Sequence, residues 1–186
     1  MALIGSEDKL KKRDMAPDFK LKGTDGNFYN LNDIKGKKAT LIVFICNHCP
    51  YVIPKLPELN RIAKDFKSKG VVIIGINSND SENYPEDSFS KMQAFVNEGK
   101  VKFYYLLDKT QNIARTYGAL CTPDPFLFDE GLKLVFHSRI DDTHKQEEAN
   151  RHEMYEAIAQ LLEKGSIKIK ENPSMGCSIK WKESTD

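Results

Sequence analysis

The sequence predicts an α/β protein in which helices flank a central mixed sheet, and three patterns support this. Two continuous apolar runs, 39–45 and 71–77, are typical of strands buried on both faces. Between them, 50–69 carries apolar residues at the three- and four-residue spacing of a helix. Strand, helix and strand in this order form a right-handed crossover between parallel strands. The turn Asp-Glu-Gly between 126–128 and 132–140 predicts an antiparallel hairpin.

The other elements can be justified in chain order. Segment 18–31 reads as a hairpin, since Asp25-Gly26 supplies the positive φ of a tight turn. Two prolines, Pro54 and Pro57, predict an irregular first turn in the helix at 50–69. Further apolar patterns predict a helix at 88–98, a strand at 101–107, a short helix at 111–117 and a final amphipathic helix at 151–163.

The chain length and its ends suggest one domain with two appendages. A length of 186 residues is typical of a single domain, and no interior linker interrupts the pattern. We expect a polar, loosely held N-terminal arm at 1–13 and the folded domain at 14–165. The tail at 166–186 lacks periodicity but contains Cys177 and Trp181, the only tryptophan.

Composition limits the function classes. The charges nearly cancel, with 28 Lys+Arg against 27 Asp+Glu, so we expect no general nucleic-acid partner. No apolar run approaches the length of about 20 residues that crosses a bilayer, so no membrane partner is expected. The first residues lack a signal-peptide pattern, which favours a cytoplasmic location. In such a reducing compartment, closely spaced cysteines indicate redox catalysis or metal binding.

Cys46 and Cys49 form the motif C-N-H-C directly after the first buried strand. A helix amino terminus stabilises a thiolate, and a spacing of three residues brings a second sulfur into bonding range. Loops that follow parallel strands meet at one edge of the sheet. The C-N-H-C loop, the polar loop at 77–87 and the Thr122-Pro123 segment are therefore predicted to meet.

Two metal-site hypotheses compete with redox chemistry. A zinc site would use Cys46, Cys49 and His48, but structural zinc sites normally have a second close cysteine pair, which this chain lacks. The acidic segment 77–87 lacks the ligand spacing of a calcium loop, and we expect it to be solvated. The spacing therefore favours redox chemistry.

Several motifs resemble one protein family. These are MAPDFKLKGTDGNFYNLNDIKGKK, FICNHCPYV, GINSND, YGALCTPDPFLFD and PSMGCSIKWK. Together they resemble the peroxiredoxin-like and thioredoxin-like redoxins of the alkyl hydroperoxide reductase/thiol-specific antioxidant superfamily. The motif differs from W-C-G-P-C of thioredoxins, and Cys46 stands where peroxiredoxins have a threonine. Arg115 and Arg139 are the candidates for the peroxide-site arginine of that family.

The resemblance implies a thioredoxin-like fold and a thiol–disulfide oxidoreductase. Two alternatives stay open: a thiol peroxidase in which Cys46 or Cys177 resolves an oxidised Cys49, and a metal-binding or redox-inactive module of the same fold. The resemblance also implies a cis peptide bond at Pro123 that places the Thr122 backbone beside the active sulfur, where an extended substrate chain could pair. The substrate would be a disulfide or a peroxide. The reductant would be an external thiol or reductase, because the sequence has no dinucleotide-binding motif, and no cofactor is expected.

Roles within the site are partly open. Pro50 suits a first helical position, which would leave Cys49 at the N-cap as the nucleophile and Cys46 as its partner. Counting from Pro54 by thioredoxin spacing gives the opposite assignment, which stays open. His48 is either a proton carrier or an exposed histidine. The roles of two further cysteines are also open. Cys121 is either a small buried residue or a partner in disulfide exchange, and Cys177 either resolves the oxidised site or packs with Trp181 as a hydrophobic clasp. The sequence does not indicate the oligomeric state.

Overall fold

The computed structural model describes residues 3–7, 9–143 and 148–183, which contain ten strands and five α-helices. The strands are β1 Leu3–Gly5, β2 Lys20–Gly23, β3 Phe28–Asn30, β4 Ala39–Phe44, β5 Val71–Asn77, β6 Tyr104–Leu107, β7 Cys121–Thr122, β8 Asp124–Asp129, β9 Leu134–His137 and β10 Met175–Ser178. The helices are α1 Leu31–Ile34, α2 Leu56–Phe66, α3 Phe89–Asn97, α4 Asn112–Tyr117 and α5 Glu153–Lys164.

The central sheet has seven strands in the order β3-β2-β6-β5-β4-β8-β9. The strands β4, β5 and β6 are parallel, as the crossover predicts, and β8 returns antiparallel beside β4. Both predicted hairpins are present, as the pairs β2–β3 and β8–β9. The sheet is therefore mixed, which confirms the predicted architecture.

The two faces of this sheet carry separate apolar clusters. Leu41 and Val43 of β4 lie in the first cluster, which α2, α3 and α5 cover. Ile42 and Phe44 lie in the second cluster, which α1 and α4 cover. Alternate side chains of β4 are thus buried on opposite faces, which explains its continuous apolar sequence. Among the described residues, no helix combines the length and apolar character that crossing a membrane requires.

The N-terminal arm and the tail differ from expectation. The arm is not loosely held, because β1 pairs antiparallel with β10 of the tail. In turn β10 pairs with β7, so a small sheet of order β1-β10-β7 joins both chain ends to the body. The division into an arm, a domain and a tail stays a prediction, but in this structure the two terminal segments pack on the domain as one layer.

The segment between β4 and α2 is also less helical than predicted. A 3-10 turn covers Ile53–Lys55, and the α-helix begins only at Leu56. In a helix that began at Pro50, Pro54 and Pro57 would lie beyond the first turn, where each lacks the N–H that donates to the carbonyl four residues earlier, so the irregular start is confirmed. Pro50 is correspondingly part of a turn and not of the helix, which corrects the expected helix start.

Candidate active site

Three segments separated in sequence meet at the carboxyl edge of the sheet, as predicted. The C-N-H-C loop follows β4, and the backbone N–H of Asn47 donates to the carboxylate of Asp87 at 2.7 Å. On the other side, the Cys46 sulfur lies 3.4 Å from Oγ1 of Thr122. The Cys49 sulfur lies 3.2 Å from the backbone carbonyl oxygen of Thr122, to which it donates when it is protonated. The Thr122–Pro123 peptide bond is cis, in agreement with the family resemblance.

Cys49 retains part of an N-cap arrangement although the α-helix starts later. Its carbonyl accepts from the N–H groups of Val52 and Ile53, at 3.0 and 3.1 Å. Its sulfur accepts from the N–H of Tyr51 at 3.4 Å, as an N-cap side chain accepts from the second helical residue. The expected stabilisation of the sulfur by free N–H groups is therefore present in a turn that precedes the helix.

The thiols of the pair have very different acidities. The pKa of Cys49 is lowered to about 5, chiefly because the Cys46 thiol donates a hydrogen bond to its thiolate. Further donation from Thr122 and from the thiol and backbone N–H of Cys177 lowers this pKa as well. The pKa of Cys46 is raised well above its ordinary value, since it is the donor in this bond and is buried near Asp87. At neutral pH the pair therefore holds one proton, on Cys46.

The tail places a third sulfur at the site. Cys177 lies in β10 opposite Thr122, and burial together with its hydrogen bond to Cys49 raises its pKa to about 12. Cys121 lies in the adjacent β7 and is fully buried, and burial raises its pKa strongly. Cys121 thus matches the expectation of a small buried residue. All four cysteines are free thiols.

The polar loop 77–87 is buried at both ends and exposed in its middle: residues 77–80 and Asp87 are buried, whereas 82–86 are exposed as expected, so the expectation of a solvated segment is corrected only for the two ends. The Asp87 side chain is fully buried, and its carboxylate also accepts from Asn79 Nδ2 at 2.7 Å. Asn47 donates through Nδ2 to the carbonyl of Glu86 and accepts from the Tyr105 hydroxyl, at 2.9 and 2.8 Å. These bonds fix the shape of the C-N-H-C loop, because they hold the backbone and side chain of Asn47, one of the two residues between its cysteines.

His48 is partly buried and paired, and not an exposed loop histidine. Its Nδ1 lies 2.8 Å from Oδ2 of Asp87, and its ring stacks on Tyr84 with the ring centroids 6.0 Å apart. Among the described residues, one set of metal-ligating side chains lies close together: Cys46, His48 and Asp87, with donor atoms within 4.8 Å of one another. This set replaces Cys49 of the predicted zinc ligands with a carboxylate. Sequence reasoning missed Asp87, because the polar run around it predicts a loop without indicating burial.

The two arginines that could match a peroxide site are engaged elsewhere. The guanidinium of Arg139 donates through Nε and Nη2 to the carboxylate of Glu153, each at 2.9 Å. Arg115 lies over the ring of Trp181, 4.3 Å from its centroid. Both positively charged groups thus have contacts that do not involve the site sulfurs.

Comparison with known proteins gives a consistent result. A model described as the AhpC/TSA family matches residues 13–137. The thiol-disulfide oxidoreductase ResA of Bacillus cereus is 28% identical over 143 residues, which cover 77% of this chain and 78% of the relative. The match to ResA spans most of the chain, and it assigns no role to a particular residue.

Solved structures extend the similarity to the whole chain. An uncharacterised conserved protein from Geobacillus kaustophilus is 42% identical, with a TM-score of 0.93 and coverage of 100% of this chain and 99% of that one. The thioredoxin domain of a thiol-disulfide oxidoreductase from Bacteroides vulgatus is 22% identical, with a TM-score of 0.63 and coverage of 83% and 99%. The second match shows that the fold is thioredoxin-like.

Proposed function

Because this chain belongs to the AhpC/TSA family and is a thiol-dependent oxidoreductase, we propose that Cys49 is its attacking thiolate and Cys46 its resolving partner. One observation carries the assignment: the backbone N–H of Tyr51, at the turn that precedes the helix, donates to the Cys49 sulfur at 3.4 Å. In agreement with this, the pKa of Cys49 is lowered, chiefly by donation from Cys46, while that of Cys46 is raised. The thiolate is the nucleophilic form of cysteine, so at neutral pH only Cys49 of this pair is ready to attack.

The exchange takes two steps. The Cys49 thiolate attacks one sulfur of a substrate disulfide, so a new sulfur–sulfur bond forms and the other substrate sulfur leaves with the bonding electrons. The mixed disulfide carries no charge on Cys49, which removes one cause of the raised pKa of Cys46. Cys46 then loses its proton, attacks Cys49 and releases the second substrate thiolate, leaving a Cys46–Cys49 disulfide. Two electrons pass from the protein to the substrate.

Neighbouring groups assist these steps. Polar atoms of the His48–Asp87 pair lie within 4.8 Å of the Cys46 sulfur, which places the pair to accept the proton that Cys46 loses. Thr122 contacts both sulfurs, through its carbonyl to Cys49 and its hydroxyl to Cys46. The cis bond to Pro123 holds this backbone carbonyl toward the site. Thr122 and Pro123 thus have positioning roles, whereas the His48–Asp87 pair acts as a general base.

An external thiol or reductase must return the two electrons. The similarity to thiol-disulfide oxidoreductases implies a redox substrate and a reductant in general terms. The particular partners and the cytoplasmic location stay predictions. The expected absence of a cofactor, of nucleic acid and of a membrane partner also stays a prediction.

Steady-state reduction of a small disulfide tests the assignment. With excess dithiothreitol and hydroxyethyl disulfide, Cys49→Ser is expected to lose essentially all activity. In a single turnover without dithiothreitol, the reduced wild type should release both halves of the small disulfide as thiols, whereas Cys46→Ser/Cys177→Ser should release one half and keep the other bound to Cys49, since no resolving thiol is left. Cys121→Ser serves as the matched control and should retain the wild-type rate, because this buried thiol contacts neither substrate nor reactive sulfur. A Cys49→Ser variant with the wild-type rate would overturn the proposal.

The proximity of Cys177 to Cys49 favours peroxide reduction as a second candidate function. The Cys49 thiolate would attack one peroxide oxygen, forming a sulfenic acid and releasing an alcohol or water after proton uptake. The thiol of Cys46 or Cys177 would then displace water and close a disulfide. Hydrogen peroxide consumption by the wild type, lost in Cys49→Ser, would support this activity, whereas equal consumption by both proteins would exclude it.

A further inference from the structure

The tail strand β10 occupies the backbone edge beside the active sulfurs. In this antiparallel pairing Cys177 lies opposite Thr122, and Ser178 lies opposite Cys121. The N–H of Ile179 continues the pairing by donating to the carbonyl of Leu120 at 2.8 Å. An extended substrate chain that approached Cys49 would pair with this same edge, since strand addition uses unpaired backbone groups. Here the protein's own chain already uses them.

The fit between β10 and the cis-proline segment is too close for a side chain. A Cβ atom on Gly176 would lie 2.0 Å from the carbonyl oxygen of Thr122 and 2.6 Å from its carbonyl carbon. Glycine is therefore required at this position, where two backbones approach each other. Ser174 directly precedes β10, and its hydroxyl donates to the carbonyl of Pro123 at 2.6 Å, which holds the start of the strand against the same segment.

Contacts on the far side hold the strand in place. The N–H of Lys180 donates to Asn79 Oδ1 at 2.9 Å, and the carbonyl of Lys180 accepts from the N–H of Asp80 at 2.8 Å. The outer edge of β10 is paired as well, with Leu3 of β1 opposite Cys177. The tail thus spans the active edge and has backbone bonds on both sides.

The consequence for the sulfurs is burial. Cys49 has no exposed surface and Cys46 is 2% exposed. Cys177 stands where the cysteine of a bound chain would stand, opposite Thr122 and in hydrogen-bond contact with Cys49. Reaching Cys49 with a polypeptide disulfide would require the release of β10 from the edge of β7, whereas a small molecule requires only a local opening.

We propose that β10 occupies the backbone edge of β7 with which a polypeptide substrate would pair. It thereby restricts this site to small disulfides or peroxides and excludes disulfides carried by protein chains. This inference rests on the proposed function, because it names the substrate class of the same sulfur pair. Gly176 and Ser174 are the residues that determine this specificity, since they allow and hold the close approach.

Paired kinetics with hydroxyethyl disulfide and insulin test the restriction. We expect the wild type to favour the small disulfide in kcat/KM by about 100-fold or more, a difference of about 2.7 kcal/mol. Gly176→Val forces β10 away from Thr122, and the ratio of insulin to small-disulfide kcat/KM should rise about tenfold or more. Gly5→Ala is the matched control in the same small sheet, since its Cβ would meet nothing nearer than Met175 Sδ at 3.5 Å. Ser174→Ala is a milder second variant that should raise the ratio in the same direction.

Size-graded alkylation gives a readout that needs no turnover. Cys49 of the wild type should react with iodoacetamide but about tenfold or more slowly with a maleimide on a long polyethylene glycol chain, with both rates normalised to unfolded protein. Mass mapping identifies the alkylated cysteine, and Gly176→Val or Ser174→Ala should reduce the difference. Reduction of insulin by the wild type as readily as the small disulfide would overturn the inference but leave the proposed function standing. Failure to reduce either disulfide, with the alkylation difference intact, would overturn the proposed function alone.

Discussion

The hydrogen bond from Cys46 to Cys49 can be removed in two graded steps. Cys46→Ala removes the donor altogether, whereas Cys46→Ser keeps a hydroxyl in almost the same place. Because this bond is the largest cause that lowers the pKa of Cys49, the alanine variant should show the higher pKa. The serine variant should lie between the alanine variant and the wild type.

The size of the change follows from the strength of the bond. A hydrogen bond to a charged group contributes about 1.5–3 kcal/mol, and one pKa unit corresponds to about 1.4 kcal/mol. Loss of the donor should therefore raise the pKa of Cys49 from about 5 by roughly 1–2 units. At pH 6 the thiolate fraction would fall from about nine-tenths to between about a half and a tenth.

Alkylation by iodoacetamide measures this fraction, because the thiolate is the reactive form. Rates at Cys49 are followed by peptide mass mapping between pH 4 and about 10, and the midpoint gives the pKa. Circular dichroism of each variant controls for folding. A wild-type midpoint near 9, or an unchanged midpoint in Cys46→Ala, would refute the reasoning that one thiol stabilises the other as an anion.

Three further predictions concern folding stability and metal content. The pKa of Cys49 is depressed from 9.0 to about 5, so the contribution of its thiolate to folding stability is full above pH 9 and is lost as pH falls toward 5. In this window the free energy of unfolding of the reduced wild type in urea should therefore rise by up to about 1.4 kcal/mol per pH unit relative to Cys49→Ala. Lys55 and Asp141 form a buried ion pair at 2.6 Å, so Asp141→Ala should cost about 3 kcal/mol in urea unfolding, and the double variant Lys55→Met/Asp141→Leu should recover most of it. Protein purified without added metal should contain well under one zinc per chain by elemental analysis, whereas stoichiometric zinc would favour a metal site on the thiol, imidazole and carboxylate cluster.

Features that depend on local pattern were predictable from the sequence. Both buried strands of the crossover appear because their apolar runs are continuous, and the antiparallel return appears because Asp-Glu-Gly marks a turn. The meeting of Cys46, Cys49 and Thr122 followed from one topological rule about the carboxyl edge of parallel strands. The cis bond at Pro123 came only from the family resemblance, since its sequence neighbourhood has no pattern that indicates it.

Features that depend on remote partners were not predictable. Asp87 lies in a polar run, and its buried carboxylate accepts hydrogen bonds from Asn47 in a distant segment and from Asn79 at the other end of the same loop. The strand β10 contains a glycine and is four residues long, so it has no periodicity that distinguishes it from a loop. It exists because both Leu3 and Thr122 pair with it from distant parts of the chain. The predicted start of α2 at Pro50 was wrong, because proline suits the first turn of a helix but does not fix where that turn begins.

Mapping a trapped substrate adduct tests the identity of the nucleophile most directly. The double variant Cys46→Ser/Cys177→Ser has lost both thiols that could displace a bound substrate from Cys49. Its counterpart, Cys49→Ser/Cys177→Ser, keeps Cys46 and should form an adduct far more slowly; equal or faster reaction of this counterpart would make Cys46 the attacking sulfur. After reaction with a small excess of glutathione disulfide, peptide mass mapping should find the glutathione adduct on Cys49. An adduct on Cys121, or none at Cys49 while unfolded protein reacts normally, would contradict the assignment of the attacking sulfur.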